Sequence, residues 1–139
     1  MFALRTPMIR AAASARAATT APAASRGLHF LVTLNDFTDK DALARRMATR
    51  PSHLVHATEL QQKGILMSGG AILDAPSDSG TMVGSYMMYK AESLEHVHEL
   101  LKDDPYVQGR VWDYENATIT PVRIARLGDA VLEATPKKE

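Results

Sequence analysis

The chain has 139 residues, 45% of them hydrophobic and 6% aromatic, with 16 basic and 16 acidic side chains and no cysteine. That is the composition of an ordinary globular domain and excludes a fibrous or disordered chain; the missing cysteines exclude disulfides, thiolate nucleophiles and cysteine-ligated metal or iron–sulfur centres. No apolar run approaches the ~18 residues that a membrane-spanning helix needs.

Residues 1–27 are rich in alanine, serine and threonine and carry Arg5, Arg10, Arg16 and Arg26, while the first acidic residue of the chain is Asp36. This is the composition of a transit peptide. Phe2, Leu4, Met8 and Ile9 share the apolar side of a prospective helix flanked by arginines, and there is no long apolar segment of the secretory kind. The expectation is a mitochondrial targeting peptide over 1–27, cleaved near Arg26 or Gly27, with the mature protein in the matrix. A chloroplast address and a plain alanine-rich tail are the competing readings. With those four arginines set aside, 12 basic residues face 16 acidic ones, a mild acidity that argues against a nucleic-acid partner.

The body opens with Leu28 to Leu34, a short run of strand formers ended by Asn35 and Asp36, which predicts the first strand. Residues 39–63 are helical in character. Leu43 and Met47 fit one apolar stripe and Leu54, Ala57 and Leu60 another, and Pro51 between them removes a backbone donor, so two helical pieces are predicted with Pro51 in the first turn of the second. Gly64 ends that piece at the first position beyond the helix cap. Ile65 to Leu73 predicts a second strand, in which Gly69 and Gly70 mark a bulge or a place where another backbone or a ligand comes close. Residues 74–80 (DAPSDSG) are a loop. Thr81 to Lys90 predicts a third strand, with Gly84 as a second close-approach point.

Ser93 followed by Leu94, Val97, Leu100 and Leu101 is an N-cap ahead of an apolar helical face, closed by Asp104-Pro105. Val111 to Val122 predicts the last strand region, and residues 125–139 carry no persistent pattern and are read as a C-terminal tail. Residues 28–124 are therefore one α+β domain of order β-α-β-β-α-β, the ferredoxin-like unit in which one antiparallel sheet carries two helices on one face. Such a sheet leaves its other face open. Apolar residues on both faces of the first and third strands (Phe30 and Leu31, Tyr86 and Met87) call for a cover, and a second copy is the simplest.

Arg50-Pro51-Ser52-His53-Leu54, then Gly64 with Leu66, Ser68, Gly69 and Gly70, then Gly84-Ser85, then Asp104-Pro105-Tyr106-Val107, closely resemble the successive motifs of the YCII-related (YciI-like) family. The resemblance spans residues 28 to about 123. It implies a ferredoxin-like domain that pairs into a dimeric α/β barrel, with a His–Asp pair in a cleft taken as the active site. One member type is described as a dehydrochlorinase of a chlorinated hydroxyhydroquinone, and most members have no assigned reaction. The histidine of the R-P-x-H motif is matched by His53, and the aspartate before Pro-Tyr by Asp104. Many bacterial members have Gly-Pro where this chain has Gly69-Gly70, so the pocket lining on that side departs from the family's pattern.

The residues themselves single out the same two. With Pro51 in a first helical turn, His53 lies near a helix N-terminus, where the dipole favours the neutral imidazole that a general base requires. Asp104 places a carboxylate at a helix C-terminus, against the dipole, and a residue that breaks a local rule is a functional candidate. Hydrogen-bonded to one ring nitrogen of His53, it would orient the ring while the other nitrogen takes a proton. Each has a plainer reading, a satisfied buried histidine and a turn residue before proline. Ser85 and Asp74, with Gly70, are candidate ligand contacts. His53 and His56 share a helix face, yet no carboxylate stands at a metal-site spacing, so no metal is expected. With no G-x-G-x-x-G, P-loop or G-x-S-x-G motif, no cofactor is expected either. Two readings remain open: a cofactor-independent enzyme doing acid–base chemistry, isomerisation or elimination on a small oxygenated molecule, and a non-catalytic small-molecule-binding or structural homodimer.

Overall fold

The computed structural model describes residues 27–125. But for residues 27 and 125, the expected targeting peptide and the expected tail lie outside the described residues. Within them the chain forms β1 (Leu28–Asn35), α1 (Ala42–Gln62), β2 (Leu66–Leu73), β3 (Met82–Ala91), α2 (Leu94–Asp103), the short α3 (Pro105–Gln108), a 3-10 turn over Tyr114–Asn116, and β4 (Thr118–Val122). The four strands make one antiparallel sheet of order β2-β3-β1-β4, the expected ferredoxin-like arrangement.

Side chains of a strand alternate between faces. On β1, Phe30, Val32 and Leu34 are buried against the helices while Leu31 and Thr33 on the other face are only half-buried; β3 repeats this with Met87 and Tyr89 inside and Tyr86 and Met88 outside. The inner residues close a core with Leu60 of α1, Val97 and Leu101 of α2, and Tyr106, Val111 and Trp112 beyond them. Gly84 makes the β1–β3 approach possible, because a Cβ there would collide with the Leu34 carbonyl oxygen. Gly64 follows α1 at φ +71, the left-handed conformation expected of a glycine past a helix end. Ser93 caps α2 as expected, its Oγ accepting the His96 N–H at 3.1 Å.

Two expectations fail. The stretch around Pro51 is one continuous helix of 21 residues. Pro51 leaves the Met47 carbonyl without a donor, a defect that costs about 3 kcal/mol or more in a free helix interior; here the helix is tied down on both sides of it, by Arg46 to Asp36 and by His53 to Asp104. The last strand is also shorter than predicted. Val111 and Trp112 are buried, but only a single bridge, Asp36 to Trp112, pairs that segment before the 3-10 turn, and regular pairing begins at Thr118. Their hydrophobicity reflects the core and not a strand.

Candidate functional site

The buried residues of α1 are Ala42, Arg46, His53 and Leu60, spaced as successive turns of one helix face. That face therefore presents a guanidinium and an imidazole to the interior. The Nδ1 of His53 lies 2.9 Å from Asp104 Oδ1 and 3.1 Å from Oδ2, so the two residues predicted to pair do so. Neither residue meets a helix dipole in the way expected of it. As the twelfth residue of a 21-residue helix, His53 is mid-helix, far from the N-terminal dipole charge. Nor does Asp104 defy a dipole: it ends α2 with extended backbone and at the same time caps α3, its Oδ1 accepting the Tyr106 N–H at 2.9 Å. A carboxylate can only accept, so Nδ1 carries the hydrogen, and in the neutral ring the lone pair is on Nε2. The ring is fixed further by stacking on Tyr106, centroids 3.9 Å apart and planes at 13°, and by the edge of Trp112 at 5.3 Å.

Beside this pair lies a second polar group. Arg46 donates through Nη1 to both Asp36 oxygens at 2.8 and 2.9 Å and through Nη2 to Ser85 Oγ at 3.0 Å, and Trp112 Nε1 donates to the same Oγ at 3.1 Å. Burial pushes the Asp36 carboxyl above its usual range, and the Arg46 charge and hydrogen bonds pull the other way. The Arg46 guanidinium also stands over the Tyr106 ring at 4.9 Å. Burial raises the Tyr106 phenol, against the pull of Arg46 and Arg50.

A cavity of about 330 Å³ opens between α1 and the β2–β3 strands, lined among others by Arg46, Arg50, His53, Ser85 and Tyr106. Asp104 stands behind His53, wholly buried and out of the cavity wall. Gly70 and Gly69 line it. The sheet irregularities fall at Leu66/Ser68 and Ile72/Leu73 rather than at these glycines, whose missing side chains make room for Tyr86 and Met87: a Cβ would meet Tyr86 Cε1 at 2.8 Å and Met87 Sδ at 3.0 Å. Asp74 is away from the cavity, accepting the Thr81 N–H at 2.8 Å and so closing the β2–β3 loop. Among the described residues no cluster of three or more His, Cys, Asp or Glu could hold a metal, and no helix is long and apolar enough to cross a membrane.

Of the residues in and behind the cavity wall, the sequence pointed to His53, Asp104, Ser85 and Gly70 and not to Arg46, Asp36, Tyr106 and Trp112. Arg46 had a signal: it precedes His53 by seven residues, two helical turns, and so shares its face. Asp36 and Trp112 had none, since only folding brings Asp36 to Arg46 and Trp112 to Ser85.

The model of the YCII-related domain matches residues 29–121. Over 85 residues the chain is 33% identical to aspercryptin biosynthesis cluster protein B of Emericella nidulans, covering 58% of this chain and 54% of that protein, so the chain spans about half the length of this relative. It is 33% identical over 86 residues to protein YciI of Escherichia coli, covering 60% of this chain and 86% of YciI. Among solved structures it is similar to the 5-chloro-2-hydroxyhydroquinone dehydrochlorinase TftG of Burkholderia phenoliruptrix in complex with 2,5-dihydroxybenzoquinone, with a TM-score of 0.60 and 23% identity over 70% of this chain and 95% of that one. At that identity the likeness establishes the fold.

Proposed function

The chain belongs to the YCII-related domain family, and on that premise we propose that its cavity binds a small oxygenated molecule and that His53 moves a proton on it. The observation that carries this reading is His53 on the cavity wall with Asp104 behind it, 2.9 Å from its Nδ1. Asp104 holds the hydrogen on Nδ1, Nε2 takes a proton from the ligand, and the carboxylate compensates the imidazolium so formed. Isomerisation and elimination both begin with such a step, and the similar dehydrochlorinase is a protein named for an elimination.

The experiment uses 2,5-dihydroxybenzoquinone as probe and follows its ring-hydrogen signal by proton NMR in D₂O. The full chain should speed the exchange and His53→Ala, still folded, should not. Binding without accelerated exchange leaves the second reading, a non-catalytic binding domain. That reading has its own support: Asp104 already caps α3 and His53 already stacks on Tyr106, which are structural tasks.

The domain is proposed to work as a homodimer. Leu31, Tyr86 and Met88 on the open sheet face are half-buried in a single copy, and a second sheet packed on them completes an α/β barrel. Light scattering should report two copies, and a stable monomer refutes the barrel. Residues 1–27 are proposed to address the protein to the mitochondrial matrix, and residues 1–30 fused to a fluorescent reporter should carry it there.

A further inference from the structure

The charged residues lining the cavity, His53 aside, are Arg46 and Arg50, and no carboxylate lines it. They stand one turn apart on α1, an arrangement that repels and is avoided on an ordinary helix surface. Asp36 neutralises Arg46 from behind. Arg50 is exposed, and among the described residues no carboxylate pairs with it, yet its charge reaches the Tyr106 phenol. The cavity is thus left with a net positive wall.

Two hydroxyls of the lining stand beside the arginines' charge, with those of Thr58 and Ser68 elsewhere on the wall. Ser85 Oγ receives N–H donors from Arg46 and Trp112, which occupy both of its lone pairs, so its own hydrogen has to point elsewhere and Ser85 can act only as a donor. Tyr106 lines the cavity, and its hydroxyl bonds to no described residue. Donors and positive charge therefore gather on the wall that also carries His53.

We propose that this cavity selects small organic anions, a carboxylate or an ionised enol or phenol, by holding the anionic oxygen with Arg50 and the hydroxyls of Ser85 and Tyr106. Arg46 is a positioning residue that locks Ser85 as a donor. The proposal rests on the reading of His53 as the base and deepens it: when Nε2 takes a proton from carbon, the C–H electron pair moves onto the conjugated oxygen, and these donors receive the charge.

The test titrates the full chain with benzoate and with benzamide, its neutral counterpart, by calorimetry and by the arginine Nε–H signals in NMR. Benzoate should bind saturably and benzamide should not. Arg50→Gln, on an exposed side chain with no fold to disturb, should weaken benzoate about tenfold or more, the loss expected of one charge-assisted hydrogen bond, with an unchanged melting temperature. Ser85→Ala should weaken it less. Equal binding of benzamide, no saturable benzoate binding, or an Arg50→Gln variant that binds like the unaltered chain overturns the proposal. His53→Gln separates the two readings, because benzoate has already lost its proton. Retained binding in that variant leaves the base intact, whereas lost binding with Arg50 present makes His53 an anion-binding group, which keeps the subsite and sinks the base.

Discussion

The two long helices lie on the same face of the same sheet and treat it in opposite ways. α2 buries Val97 and Leu101 completely and turns its charged residues outward, as an amphipathic helix should. α1 buries Arg46 and His53 and leaves Leu43, Met47, Leu54 and Val55 exposed, the last at 61%. Burying polar groups is costly unless they find partners, and Asp36 and Ser85 supply them to the terminal nitrogens of Arg46 and Asp104 to His53 Nδ1, while Arg46 Nε has none among the described residues. The inversion teaches that α1 is built around the cavity, while α2 and the inner face of β1 supply the apolar burial that stabilises the fold against it.

The sharpest way to break that contrast is Arg46→Met. It leaves Asp36 buried without its counter-charge, and removing one partner of a buried ion pair costs about 3–5 kcal/mol. Urea unfolding of the full chain near neutral pH should show the loss. The deficit should shrink as the pH falls: burial already raises the Asp36 carboxyl, and without Arg46 it rises further. A carboxyl whose folded value lies above its unfolded one favours the fold when protonated, so that stability is present in acid and lost as pH climbs through the folded value. A deficit independent of pH would falsify the assignment of the loss to Asp36.

Leu101→Ala probes the other helix. This side chain is fully buried, and its truncation should cost about 2–5 kcal/mol through lost burial and a cavity, with no pH dependence below neutrality and no change in benzoate binding by the folded fraction. If binding falls with it, the core and the site are not separable.

Asp104→Asn keeps an oxygen to accept the Tyr106 N–H and removes the charge facing His53, so the stability loss should be modest, about 1–2 kcal/mol. Probe exchange in D₂O should slow on the order of a hundredfold, the scale of one general-base contribution. An unchanged exchange rate makes Asp104 a helix cap and nothing more. The smallest effect belongs to the outer face of α1: Val55→Ser should change stability by less than about 0.5 kcal/mol, and a larger loss in the melting curve would show that this exposed valine is covered in the assembled protein.

The sequence was most legible where local rules agree with the fold. The Ser93 cap and the spacing of Val97 and Leu101 place α2 to the residue, and the alternation of β1 and β3 with the β-α-β-β-α-β order specifies the sheet. It misled at Pro51, where local backbone chemistry says break and tertiary anchors hold the helix together, and at Val111–Trp112, where core burial imitates a strand.

His53 and Asp104 could be named from one chain of letters because their motifs are local, Arg-Pro-Ser-His and Asp-Pro-Tyr. Their contact, across 51 residues, and the convergence of Trp112 and of Arg46, itself held by Asp36, on the Ser85 hydroxyl were decided by the tertiary structure alone. Periodicity records which face of an element is apolar; it cannot record which buried polar groups will find partners, because partnership is settled only when the sheet brings its strands and helices together.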